Sequence, residues 1–265
     1  MSPRRPSRYS AASLVRHGLT RGTWPRMWRH HELGDRYDVV IIGGGVHGLA
    51  TAYYLAQNHG ITDVAVVDKG YLGGGASGRN TAIVRSNYLT PEGVAFYDRS
   101  LDLYNTMATD LNLNIMFSRR GHLTLAHTDS ALRTMNWRAE VNKLQGVNSS
   151  VIWPDEVKRL APSLDVSSSP RYPILGALYH PPGGVVRHDA VVWGYARAAD
   201  RLGVELHQET EVLDVLVEGG DGPGGKGPGG RVTGVRTNRG DINAPVVVNC
   251  TAGWEIGRAS CRERV

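Results

Sequence analysis

The alternation of apolar and polar positions becomes regular at Tyr37. Residues 37–42 (YDVVII) form a short β-branched run, Gly43-Gly44-Gly45 follows, and Val46, Leu49, Ala50 and Tyr53 then recur at i, i+3, i+4 and i+7. This order predicts a strand, a tight turn and an amphipathic helix. Asn58-His59-Gly60 stops the helix, and residues 64–67 read as a second buried strand ending in Asp68. The unit is βαβ, which calls for a parallel sheet.

Further along, residues 70–80 read as a glycine-rich loop and Pro91 opens a helix. A strand is expected at 121–126, a helix at 130–144, a short helix from Pro154 and a strand at 174–179. The Pro181-Pro182-Gly183-Gly184 turn leads into a helix with Val192, Tyr195, Ala196 and Ala199 on one face and Gly203 as its stop. Strands then dominate, at 204–207, 212–217, 232–237 and 246–249. The predicted class is mixed α/β, a Rossmann-like nucleotide-binding domain (37–100 and 185–254) interrupted by a mixed substrate domain (101–184). Residues 1–36 are expected to be an extended arm that packs on a partner or on its own domain. Residues 219–230 (GGDGPGGKGPGG) are low in complexity; they nearly spell a phosphate loop, but Gly227 stands where Ser or Thr would bind magnesium, so a solvated hairpin tip is expected.

Composition narrows the classes. With 265 residues, 41% of them hydrophobic, a packed core is available, and no window approaches the ~20 apolar residues of a membrane span. The 2 cysteines cannot make a disulfide framework or a four-cysteine zinc site, which points to a reducing, cytoplasmic compartment. The net charge of +5 is confined to residues 1–40, where eight arginines face three acids. The rest of the chain sums to zero, so no basic face for nucleic acid is expected. The histidines show no metal-ligand spacing, and no metal site is expected.

Gly43, Gly45 and Gly48 spell GxGxxG directly after a strand and at the opening of a helix. The first glycine permits the turn, the second lets a pyrophosphate approach the backbone, and the third lets helix and strand pack closely. Unpaired N–H groups at the helix N-terminus then receive the phosphates. Asp68 ends the second strand, where an acid accepts hydrogen bonds from a ribose 2′-OH and repels a 2′-phosphate, which disfavours NADP. The motif alone leaves FAD and NAD both open.

Several blocks go beyond the motif: 38–70 (DVVIIGGGVHGLATAYYLAQNHGITDVAVVDKG), GGGASGRNTAIVRSNYL, MFSRRGHLTLAHT, RYPILGALYHPPGGVVRHDAVVWGYARAAD and VVVNCTAGW. Together they resemble the β subunits of heterotetrameric sarcosine oxidases, within the glycine oxidase and D-amino acid oxidase group of flavoproteins. The resemblance implies non-covalent FAD held by Gly43, Gly45, Val46, His47 and Gly48 at the pyrophosphate and by Asp68 and Lys69 at the ribose. It places Arg79, Asn80, Thr81 and Ile83 along the flavin and Val212 near the adenine. Asp68 replaces the usual Glu, which shortens the reach by one methylene, and Ala76 and Ala82 stand where polar residues are common.

By the same resemblance, His188 is covalently joined to a second flavin, FMN. The chemistry requires a neutral imidazole to attack the flavin 8α-methyl carbon, and His188 precedes Asp189 at a predicted helix N-terminus, whose field disfavours imidazolium. From spacing alone, an ordinary helix-capping histidine is the alternative. Arg187 would add positive charge beside the ring. Arg85 is implied as a carboxylate clamp, since a guanidinium fork suits an α-carboxylate; a structural salt bridge is its alternative.

The resemblance further implies oxidative demethylation of sarcosine to glycine, formaldehyde or a folate adduct, and peroxide. It implies α, γ and δ partner subunits, with electrons passing from FAD to FMN and on to oxygen. Dimethylglycine-type oxidation of another N-methyl amine, an NAD-linked dehydrogenase and a non-catalytic binding module are the alternatives. After Trp254 the chain reads EIGRASCRERV, without period or core residues, and the string matches the translation of a common sequencing-adapter oligonucleotide. Residues 256–265 are therefore expected to be an artefact on a truncated frame, and a chain without the part that closes the FAD and substrate sites is expected to be inactive alone.

Overall fold

The computed structural model of the chain describes residues 11–20, 24, 26–220 and 229–254. Its centre is a parallel sheet built from β1 (Val39–Ile42), β2 (Val64–Val67), β8 (Glu205–His207) and β12 (Val246–Asn249), in the spatial order β12-β1-β2-β8. Val39 pairs with Val64 on one side and Val246 on the other. Both faces of β1 and β2 are covered, and this explains continuous β-branched runs in place of alternation.

The period-2 geometry of the strands sorts their side chains between two cores. Val39, Ile41, Val64 and Val66 point toward the helices α2 (Val46–His59) and α6 (His188–Arg201), where Leu49, Ala52, Tyr53, Val191 and Tyr195 meet them. Val40, Ala65 and Val67 point the other way, onto Val212, Val235 and Ile242. These last belong to an antiparallel meander of β9 (Val212–Glu218), β10 (Arg231–Thr237) and β11 (Gly240–Asn243). The domain thus has three layers, helices, parallel sheet and meander. Helix α2 ends at Gly60, which takes φ 67° and returns its N–H to the carbonyl of Ala56.

A second sheet carries the middle of the chain. β4 (His122–Ala126), β6 (Gly176–His180) and β5 (Ser150–Ile152) pair antiparallel in the order β4-β6-β5. Helix α4 (Asp129–Leu144) covers one face through Met135 and Ala139 against Ala126 and Leu178. Helix α5 (Pro154–Leu160) covers the other through Val157 against Ile152 and Ala177. A two-residue pairing of β3 (Ile83–Val84) with β7 (Gly184–Val185) and the long helix α3 (Pro91–Asp110) complete the body.

Several elements depart from the pattern expected of them. Helix α1 (Ala11–Leu19) lies within the leader that reads as an extended arm, and it buries none of its residues. Residues 26–34 do pack on the chain's own body: Trp28 joins the helix-side core, and Arg29 pairs with Asp200 of α6. β11, β5 and the β3–β7 pair were not expected, being short strands whose apolar content is too small to show a period. The glycine-rich stretch is a hairpin connection, with Glu218 opposite Arg231 at its base; its residues 221–228, and the adapter-like segment 256–265, lie outside the described residues.

Candidate functional site

The glycine turn sits where β1, α2 and β2 meet. Gly43 adopts φ 108° and donates its N–H to the carbonyl of Val67 at 2.8 Å; a Cβ there would come 2.7 Å from the carbonyl oxygen of Cys250. At Gly48 a Cβ would lie 2.0 Å from the carbonyl oxygen of Gly43, so this glycine lets the helix rest against the strand. Helix α2 starts at Gly45 with no side-chain cap. Its first N–H groups therefore lack intrahelical partners, as at every helix start. One of them, on Val46, donates to Oγ of Ser77 at 2.9 Å; the N–H groups of His47 and Gly48 are the next in the turn.

An open cleft of about 930 Å³ runs from this turn. Gly43, Gly45, Val46 and His47 form its glycine end, and Asp68, Lys69 and Val212 its β2 side. Arg79, Asn80 and Ile83 line the opposite wall, together with His188. Three expected residues are placed elsewhere. Gly48 packs against Gly43, Thr81 is exposed outside the lining, and Arg85, half-buried, follows Ile83 and Val84 without lining the cleft itself. Reading the sequence missed Ser77, Thr210 and the stretch Cys250–Gly253, which also border the cleft. The last of these follows β12, and its position after a buried parallel strand is the signal that could have found it. Burial raises the pKa of the Cys250 thiol, which keeps it protonated and a poor nucleophile.

Asp68 is held in two directions. Its Oδ2 accepts from the N–H of Gly44 at 2.8 Å and its Oδ1 from the N–H of Gly70 at 2.9 Å. Each carboxylate oxygen can accept a further hydrogen bond, and Asp68 borders the cleft. Asn80 clasps its own loop, donating to the carbonyl of Ser77 at 2.6 Å and accepting from the N–H of Ala82 at 2.7 Å. This holds Ala82 at φ 58°, a left-handed conformation unusual for alanine.

His188 is the first residue of α6, and Arg187 occupies the cap position without making a cap hydrogen bond. The imidazole borders the large cleft and also a second pocket of about 300 Å³ walled by Tyr71 and Trp193. Nδ1 of His188 lies 2.5 Å from Oδ1 of Asp189 but is not aligned with it, so this buried nitrogen makes no hydrogen bond. The guanidinium of Arg187 stands 5.8 Å from the Trp193 ring and 3.4 Å from Asp189.

Arg85 makes no salt bridge among the described residues. Its Nη1 donates to Oδ1 of Asn87 at 3.0 Å, and its guanidinium lies 4.5 Å from the centre of the Tyr88 ring. No helix among the described residues is long and apolar enough to cross a membrane.

Comparison with known proteins adds to this geometry. The family model described as FAD dependent oxidoreductase (DAO) matches residues 38–264. The chain is 46% identical over 247 residues to sarcosine oxidase subunit beta of Rhodobacter capsulatus, covering 93% of this chain and 57% of that protein. It is 45% identical over 227 residues to the sarcosine oxidase subunit beta of an Arthrobacter species, covering 86% of this chain and 54% of the relative. Among solved structures, L-proline dehydrogenase from P. horikoshii superposes with a TM-score of 0.73 at 28% identity, over 84% of this chain and 54% of that one. The chain spans a little over half the length of the relatives it matches.

Proposed function

The chain belongs to the FAD dependent oxidoreductase family, and from that premise we propose that it carries the FAD-binding part of an enzyme oxidising N-methyl amino acids such as sarcosine. The observation that carries the reading is a single cleft that joins the glycine turn, Asp68 and His188. The residues present fit the dinucleotide: the bare backbone of Gly43 and Gly45 borders the cleft at the start of α2, whose first N–H groups lack intrahelical partners.

In this reading His47 and Gly48 offer their N–H groups to the pyrophosphate, and Asp68 accepts from a ribose hydroxyl. Lys69 adds charge there, and Val212 supports the adenine with its backbone. Arg79, Asn80 and Ile83 form the wall along the ring system, with Thr81 beside it on the exposed side. When bound, FAD supplies the two-electron acceptor for oxidation of the substrate's C–N bond. Arg85 orients the substrate by its carboxylate, a role open to a guanidinium that has no acid partner among the described residues.

His188 is the attachment point for a second flavin, FMN. The aromatic walls of the smaller pocket suit a planar ring, and with Asp189 on the Nδ1 side, Nε2 is the ring nitrogen that would carry the flavin. The α, γ and δ subunits of a sarcosine oxidase-type assembly are the proposed partners, and the cytoplasm the proposed compartment. Acid precipitation separates these claims. FAD should leave with the supernatant, and flavin should stay in the pellet of the wild-type chain but not of His188→Ala. Nicotinamide in the extract would overturn the FAD reading, and a pellet equally yellow in both proteins would overturn attachment at His188.

A further inference from the structure

Behind the cleft wall the chain gathers basic groups around one asparagine. Nη1 of Arg85 donates to Oδ1 of Asn87 at 3.0 Å, and Nε of Arg138, on α4, donates to the Asn87 carbonyl at 2.8 Å; Nη2 of Arg138 shares that carbonyl. His122 on β4 and His180 on β6 stand opposite each other in the strand register beside them. His180 is fully buried and its ring is spoken for, with Nε2 meeting Ser86 and Nδ1 the carbonyl of Asn148 at 2.7 Å. His122 is different, because its buried Nδ1 has no hydrogen-bond partner.

Neither guanidinium of the cluster is neutralised by an ion pair among the described residues. The acid that acts on the group is Asp98, and it acts on His180. The mutual repulsion is felt. Burial and then Arg85 lower the pKa of Arg138, while burial, Arg85, His180 and Arg138 together bring His122 down to about 4. A partly buried pair of like charges is costly unless an anion joins them.

Donor accounting points the same way. Asn87 is fully buried, and its oxygens are taken by the two arginines, which leaves its Nδ2 donor without an acceptor. Rotating the amide would forfeit the Arg85 bond, so the orphan donor is a consequence of the packing. Two guanidiniums, the Asn87 Nδ2 and the His122 ring thus supply donors and positive charge in excess of acceptors. A small acceptor-only anion balances both.

We propose that Arg138, Asn87 and His122 join Arg85 in a site for one carboxylate. This rests on the amine-oxidase reading only in assigning that carboxylate to the substrate. Ile83 and Val84, directly before Arg85, line the cleft, so an acid group held here leaves the attached amine on the flavin side. A carboxylate is the group in keeping with planar guanidiniums: Nη1 of Arg138 and the N–H groups of Arg85 other than Nη1 are not given to Asn87. Arg138 is then a binding residue and no mere brace for Asn87.

Acetate is the probe. The full chain is titrated with sodium acetate against sodium chloride at equal ionic strength, following the thermal midpoint of wild type, Arg85→Gln, Arg138→Gln and Arg138→Lys. Acetate should raise the midpoint of the wild type, and each glutamine variant should weaken its apparent affinity by about tenfold or more, the worth of a charge-assisted contact. Arg138→Lys should recover part of it and serves as the test if Arg138→Gln does not fold. Wild-type acetate affinity in both Arg138 variants, with loss in Arg85→Gln, would overturn the inference and leave the Arg85 reading intact. Equal effects of acetate and chloride in all four proteins would overturn both. In the assembled enzyme, Arg138→Lys should weaken inhibition by acetate while leaving inhibition by dimethylamine unchanged. Equal weakening of both inhibitors would show that Arg138 only braces the fold and would overturn its assignment as a binding residue.

Discussion

The carboxylate of Asp68 accepts the backbone N–H of Gly44 at 2.8 Å, so the acid aimed at a ribose is also the clasp that ties the glycine turn to the end of β2. Its second oxygen holds Gly70, the start of the loop that leads to the opposite wall of the cleft. Cofactor recognition and local folding therefore share one side chain.

Asp68→Ala should consequently cost stability even without cofactor, by about 2 kcal/mol, the scale for hydrogen bonds to a charged group. Urea unfolding of flavin-free protein measures it. A variant as stable as wild type would mean that the clasp is dispensable and that Asp68 serves the ligand alone.

Gly48 and Gly60 separate two reasons for glycine. At Gly48 a methyl group would meet the Gly43 carbonyl at 2.0 Å, whereas at Gly60 nothing lies within 4 Å and only the φ of 67° resists a side chain. Gly48→Ala should therefore lose about 3 kcal/mol or prevent folding, and Gly60→Ala about 1 kcal/mol. Denaturation midpoints in the opposite order would contradict the packing described for the turn.

Much of this architecture was legible in the chain. The run of Val39 to Ile42, the glycines and the i, i+3, i+4 pattern from Val46 specify the βαβ unit because burial on both strand faces and on one helix face leaves a period. β5 and β11 left none, since one or two apolar residues in a strand are too few to show one. The cleft's near side was visible through GxGxxG and Asp68, whose spacing is local. Ser77 and Arg138 reach their sites only through the fold, and no local pattern announces them; Cys250 is signalled only by its place after the parallel strand β12. Arg85 was singled out by resemblance as a clamp, but its partner Asn87 and neighbour Arg138 were not foreseen.

The leader's attachment is a further point of test. Asp200 is 6% exposed and receives both the backbone N–H of Arg29 at 3.0 Å and its Nε at 3.2 Å. His31 stands between Asp200 and Glu205, at 3.7 and 3.5 Å. Arg29→Ala should leave a nearly buried carboxylate short of donors and cost about 1–2 kcal/mol. It should also speed proteolysis within residues 26–34, read by limited digestion and mass mapping. An unchanged cleavage rate would show that other contacts hold the arm.

His122 predicts a pH dependence with a definite sign. Its pKa is lowered from 6.5 to about 4 in the fold, so between these values the unfolded chain takes up a proton that the folded chain refuses. This contribution is absent as a penalty above pH 6.5, grows as pH falls toward about 4 and levels off below it. The difference in unfolding free energy between wild type and His122→Gln should vary with pH across that window, with the wild type losing ground on acidification. A difference independent of pH would show that His122 titrates alike in both states.

The identity of the bound cofactor tests the account most directly. Mass analysis of the acid extract of the purified chain, with Gly45→Val as a control for the pyrophosphate approach, should find about one FAD per wild-type chain and little in the variant. NAD in place of FAD, or FAD bound equally by Gly45→Val, would contradict the assignment of the glycine cleft.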